Sequence, residues 1–172
     1  LEVCLKEELH AGKQGSLALD VKNADFSLIK DLLPPDLDVK GRTDATATVS
    51  WTEPSPEHAV AHVEVAGRGI SVTAETNGSR QTLNFKETKL SADFKPQSAQ
   101  IQSTVSLKDG GELKADIAVA DPLTKRQLSG SVTVDDVQLA QFNPVLAALS
   151  PQLSASGTLS AELQPRGTLQ RS

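Results

Sequence analysis

The chain has 172 residues, 38% hydrophobic and 23% charged, with a net charge of −5, a balance that excludes a disordered tail. Its Lys and Arg are scattered, the densest group being Lys125-Arg126, which argues against nucleic acid as a partner because phosphate backbones draw clustered cations. Aromatic residues make up only 3% and no apolar run approaches the roughly 20 residues that cross a bilayer, so a thick two-sheet core is disfavoured and a membrane-spanning helix is excluded.

Alternation of apolar and polar residues begins with Leu17, Leu19 and Val21 on one phase and Ala18, Asp20 and Lys22 on the other. DFSLIKDLLPP, residues 25–35, breaks the period. Asp25 is a candidate N-cap, Phe26, Ile29, Leu32 and Leu33 form an apolar stripe, and Pro34-Pro35 is a stop, so a short helix is predicted. Ala45, Ala47, Val49 and Trp51 resume the period of two, and Glu53-Pro54-Ser55-Pro56 turns the chain. Ala59, Ala61, Val63 and Val65 follow, ending at a turn over Gly67-Arg68-Gly69.

Residues 70–85, ISVTAETNGSRQTLNF, fold about Asn77-Gly78, the dipeptide favoured by a type I′ turn because both central positions need φ > 0. That turn sets Thr76 opposite Ser79, Glu75 opposite Arg80, Val72 opposite Leu83 and Ile70 opposite Phe85. Its role in the turn also accounts for the Asn77-Gly78-Ser79 glycosylation pattern. Leu90, Ala92 and Phe94 continue the alternation, then Lys95-Pro96-Gln97 turns the chain into Ile101, Ser103, Val105 and Leu107. Asp109-Gly110-Gly111 suits a three-residue hairpin loop, placing Lys108 opposite Glu112, Leu107 opposite Leu113, Val105 opposite Ala115 and Ile101 opposite Val119. Leu128, Val132 and Val134 come next. QFNPVLAALSP, residues 141–151, reads as a second short helix with Asn143 as cap, Pro144 at the first helical position and Pro151 as stop. Leu153, Ala155, Leu159, Ala161 and Leu163 close the series.

A period of two over so many short runs predicts half-buried antiparallel strands, and the connections are too short for parallel crossovers. The surroundings of the two helices match. An offset of 116 residues carries Phe26 to Phe142, Pro35 to Pro151, Leu37 to Leu153 and Gly41 to Gly157, and an offset of 115 carries Gly15-Ser16 to Gly130-Ser131, Leu17 to Val132 and Leu19 to Val134. Repeat-like units are therefore expected near 15–51 and 130–163. With no Met at position 1 or elsewhere, the whole of 1–172 reads as one segment of a longer repeating β chain.

Reagents for catalysis are absent. His58 and His62 are four apart but lack the glutamate of a zinc-protease helix, and they read as solvent-facing histidines on a strand, opposite in phase to Val63 and Val65. His10 stands alone. Asp135-Asp136, and Asp36 with Asp38, read as solvated edges rather than a glycosidase pair. Gly67-Arg68-Gly69 lacks the strand–glycine–helix setting of a phosphate loop. Cys4 allows no internal disulfide and has no His beside it, so it reads as a small inward residue near Val3 and Leu5. No catalytic residue, metal or cofactor is expected.

The two units VKNADFSLIKDLLPPDLDVKGRTDATATVSW and VQLAQFNPVLAALSPQLSASGTLSAEL resemble the AsmA-like proteins of Gram-negative envelopes, and specifically the C-terminal region of one such protein. The resemblance implies a mainly β fold: a curled antiparallel sheet forming an open trough with an apolar interior, plus the two short helices. It also implies a place in the periplasm, within a protein anchored in the inner membrane by a segment absent here, with an outer-membrane barrel, TamA, as partner. The implied function is non-enzymatic: sheltering phospholipid acyl chains in the apolar groove between inner and outer membranes. The expected lining is Val49, Trp51, Val63, Val65, Ile70, Val72, Leu83, Phe85, Ile101, Val105, Ile117 and Val119. The alternatives are a protein-binding scaffold or chaperone for outer-membrane β-proteins, whose sheet edges accept a client strand, and a closed sandwich or barrel whose oily faces bury one another.

Overall fold

A computed structural model describes residues 1–10, 14–26, 37–53, 55–76, 79–124, 126–143, 146 and 152–168. They form a single antiparallel sheet of ten strands: β1 (Glu2–His10), β2 (Gln14–Asp25), β3 (Leu37–Trp51), β4 (Ala59–Thr76), β5 (Ser79–Lys95), β6 (Ser98–Leu107), β7 (Glu112–Ala120), β8 (Gln127–Gln138), β9 (Thr158–Leu163) and β10 (Arg166–Thr168). Strands β1 to β8 follow one another across the sheet in chain order, and β9 and β10 both pair with β8. At the other margin β1 pairs with β2, so the sheet stays open.

The hairpin about residues 77–78 has the predicted register, with Glu75 opposite Arg80, Val72 opposite Leu83 and Ile70 opposite Phe85. The hairpin of β6 and β7 does not. Its loop is longer, Leu107 N–H donating to the Gly111 carbonyl at 3.0 Å, and Val105 pairs with Leu113 and Ile101 with Ile117. The shift is two residues, so every side chain keeps its face. Gly67-Arg68-Gly69 is not a turn: it lies inside β4, where Gly69 takes φ +58°.

The helices are revised as well. Asp25 is the last residue of β2 rather than an N-cap, and the remainder of the first predicted helix beyond Phe26 falls outside the described residues. At the second, Leu139–Phe142 is a 3-10 turn, and Asn143 has helical angles (φ −53°, ψ −38°) in place of a cap's extended ones. Its side chain instead accepts a 2.6 Å hydrogen bond from Ala155 N–H. Residues 144, 145 and 147–151 fall outside the described residues.

Four irregularities interrupt the ladders, between Val21 and Ala24, Lys40 and Arg42, Phe85 and Glu87, and Val134 and Val137. Each adds twist and bends its strand. Two share one construction. Asn23 (φ 57°) and Asp136 (φ 47°) sit left-handed inside their strands, a conformation that Asn and Asp tolerate better than other side-chain-bearing residues. The freed N–H of Asn23 donates to Asp44 Oδ1 at 2.7 Å, and that of Asp136 donates to Ser160 Oγ at 3.1 Å.

No second layer packs on this sheet among the described residues. The buried hydrophobic residues are Ala92, Ala99, Leu107 and Val137. The accessible surface is 11739 Å², whereas a compact monomer of 18.2 kDa exposes about 8100 Å². A sandwich or closed barrel does not have that excess.

Candidate functional site: an open apolar face

Residues opposed in register lie on the same face of a sheet, so the ladders trace rows running across the strands. One row is Leu5, Leu19, Ala47, Val63, Ala92, Ile101, Ile117 and Gly130, from β1 to β8. Two residues along each strand is another, Val3, Val21, Ala45, Val65, Leu90, Ser103, Ala115, Val132 and Leu163, reaching β9. On the other side runs Leu17, Val49, Ala61, Phe94, Ala99, Val119 and Leu128. At about 4.8 Å per strand, the longest of these rows, over nine strands, runs for roughly 40 Å.

All twelve predicted lining residues stand on this face, and each is half-buried. Val49, Val63, Val65, Ile101, Ile117 and Val119 lie in the three rows above, with Trp51 at their margin opposite Ala59. Val105 is one row further along, opposite Thr88. Ile70, Phe85, Val72 and Leu83 extend the face beyond the irregularities in β3 and β5. Leu107 (3% exposed) and Val137 (2%) are buried at the end where Gln141 Nε2 donates to the Gly110 carbonyl at 3.3 Å. Elsewhere the face is open: Leu90 is 39% exposed, Phe94 42% and Leu163 63%.

The opposite face is polar and laced with hydrogen bonds. Asp116 accepts from Gln100 and Gln102 at 3.1 Å each. A shallow cavity of about 350 Å³ on this side is lined by Glu64, Lys89, Gln102 and Thr104 among others, but Lys89 is paired with Glu87 at 3.0 Å. His58 lies in a 3-10 turn, 3.6 Å from Glu53, rather than on a strand with His62. No cluster of three metal-ligating side chains occurs among the described residues.

Among the described residues His62 is the group with a displaced pKa. Its Nδ1 lies 2.8 Å from Asp93 Oδ1 and its Nε2 3.3 Å from Glu64 Oε1. The Asp93 hydrogen bond is the main cause that holds its pKa above 6.5; desolvation opposes it, and the Glu64 hydrogen bond adds a lesser upward effect. A raised folded value means that the stabilisation is fully present below the unfolded pKa and fades as pH rises through the folded one. Asp93→Asn is expected to return the NMR titration midpoint of His62 toward 6.5. An unchanged midpoint would show that the contact does not form in solution.

A family model described as TamB, N-terminal domain, matches residues 1–172. The chain belongs to the TamB family. It is 22% identical over 171 residues to the translocation and assembly module subunit TamB of Haemophilus influenzae, covering 99% of this chain and 13% of that relative's length. No solved structure matches the chain. The matching model corrects the likeness to a C-terminal region: this TamB segment corresponds to an N-terminal domain. No helix among its described residues is long and apolar enough to cross a membrane.

The predicted lining omitted much of the face this TamB segment presents. Leu5, Leu17, Leu19, Leu90, Phe94, Leu128, Val132 and Leu163 share it. Most of them carry the same period-two signal as the residues chosen. Cys4 pairs with Asp20, on the polar side of β1, and is exposed rather than inward.

Proposed function

We propose that this segment is a non-enzymatic part of a periplasm-spanning protein that shelters phospholipid acyl chains on its apolar face during transport between inner and outer membranes. One observation carries this reading: the row from Leu5 to Ile117 is apolar from β1 to β7, on a sheet face that no second layer covers among the described residues. Sheltering a dozen methylenes offsets on the order of 10 kcal/mol of water exposure. Aliphatic side chains make no directional contacts, so a chain can lie there without being fixed. The protein would be anchored in the inner membrane by a segment outside these residues and would work with the outer-membrane barrel TamA. Residues 1–172 would be one segment of a repeating trough, with repeat-like units near 15–51 and 130–163.

The test is a photoreactive residue at Ile117, compared with the same residue at outward-facing Asp116, in intact cells. Phospholipid adducts are expected at 117 and not at 116. With the protein folded, no intermolecular adduct at 117 would end the groove reading for this segment.

A second reading, a scaffold or chaperone for outer-membrane β-protein assembly, agrees with the relative's name. It is favoured by β1, whose ladder with β2 is continuous from Glu2 to His10 and whose sequence contains neither Pro nor Gly. Such a margin can accept a client strand. Protein adducts at either probe would support it.

A further inference from the structure

Between β2 and β9, the described side chains on the apolar face are aliphatic or aromatic with three exceptions: Thr43 on β3, Thr88 on β5 and Ser103 on β6. Thr43 is opposite Gly67, which is opposite Thr88, so the two threonines stand in one row two strands apart. Ser103 is the partner of Leu90, one diagonal step from Thr88 across the β5–β6 ladder and roughly 7 Å away. The three hydroxyls differ in one respect. Thr43 Oγ1 donates to the Ala66 carbonyl at 3.2 Å. Those of Thr88 and Ser103 have no hydrogen-bond partner among the described residues, although both residues are half-buried.

On a bare sheet these two hydroxyls bond to water. Once a ligand covers the face, that water is displaced, and a hydroxyl pressed against pure hydrocarbon keeps the cost of the lost bond. A ligand therefore covers this position favourably only if it brings an acceptor there. An acyl chain has one acceptor attached directly to it, the carbonyl of its ester. We propose that Thr88 and Ser103 are donors to the ester carbonyls of a diacyl phospholipid, marking where the chains end and the headgroup region begins within the apolar face. The assignment rests on the lipid reading above and adds to it a register for the ligand on the sheet and a preference for ester-linked chains.

The experiment uses the full-length protein with a photoreactive residue at Ile117, exposed to vesicles of a diacyl phospholipid or of its dialkyl ether analogue with the same headgroup and chain length. The ether lacks the carbonyls and little else. One or two neutral hydrogen bonds predict a three- to tenfold higher adduct yield with the ester lipid. Thr88→Val with Ser103→Ala keeps nearly the same shapes and removes both donors. In that variant, shown folded by circular dichroism, the ester-to-ether ratio is expected to fall to about one while the ether yield is unchanged. Equal yields in the unsubstituted protein, or a preference that survives in the variant, would overturn the assignment and leave the lipid groove standing. No lipid adduct from either vesicle would overturn the groove and the assignment together.

Discussion

Val63→Lys in the full-length protein is expected to abolish phospholipid adducts at position 117 while leaving the sheet folded. Val63 stands mid-row between Ala47 on β3 and Ala92 on β5, so a longer side chain meets small neighbours. Among the described residues no layer covers it, and a lysine stem can lie along an apolar surface with its ammonium in water. The folding cost is then about 1 kcal/mol, ordinary for a point substitution. Hydrocarbon lying across the same row would have to desolvate that ammonium. A penalty of several kcal/mol, at 1.4 kcal/mol per tenfold, corresponds to a loss of occupancy of roughly 100-fold or more. Thr46→Lys adds the same charge one residue from Ala47 on the exposed polar face, and it should change neither adducts nor folding. Undiminished adducts in Val63→Lys would take this row out of the lipid's path. Unfolding in Val63→Lys alone would mean that the face packs into a closed core, and the groove reading would fall with it.

The asymmetry between those two substitutions was legible before any coordinates, because the period of two assigns every strand residue to a face. Register was legible where a turn leaves no choice. Asn77-Gly78 admits one pairing of its hairpin, and that pairing forms. Asp109-Gly110-Gly111 admits several, since Gly110 (φ 98°) and Gly111 (φ 99°) both take angles closed to other residues, and the pairing that forms is two residues away from the one predicted. The irregularities were not predicted. A strict period of two would carry Asn23 beyond Val21, and Asp136 beyond Val134, onto the apolar phase, and the left-handed angles that avoid this are accompanied by bonds to Asp44 and Ser160 on a neighbouring strand. Nor does a strand pattern distinguish an open face from one covered by a second sheet. That answer comes from topology: β1 to β8 are laid side by side in chain order, and among the described residues no strand turns back over them.

Gly130→Ala is expected to destabilise the segment by about 2–3 kcal/mol, at the upper end of what overpacking costs. Gly130 on β8 is the register partner of Ile117 on β7, and a Cβ there would fall against the Asp116 carbonyl oxygen and within 2.9 Å of Ile117 Cα and Cδ1. The tip of an isoleucine can rotate away. A strand carbonyl cannot move without giving up its place in the β7–β8 ladder, so relief of the clash costs about another 1 kcal/mol in weakened hydrogen bonding. For a chain of this length, thermal unfolding followed by circular dichroism should show a midpoint lower by roughly 5–10 °C. Gly167→Ala on β10 supplies the comparison, because a Cβ there meets nothing within 4 Å. It should leave the midpoint unchanged or slightly raise it, by reducing the freedom of the unfolded chain. Equal midpoints for the two variants would show that Ile117 is not seated on Gly130. The seating also bears on transport. Ile117 lies down over the glycine, so the row ends without a ridge, and a face of low relief lets hydrocarbon pass from strand to strand. Gly130→Ala should therefore lower adduct yield at Ile101, the next residue of the row, at temperatures where the variant is still folded.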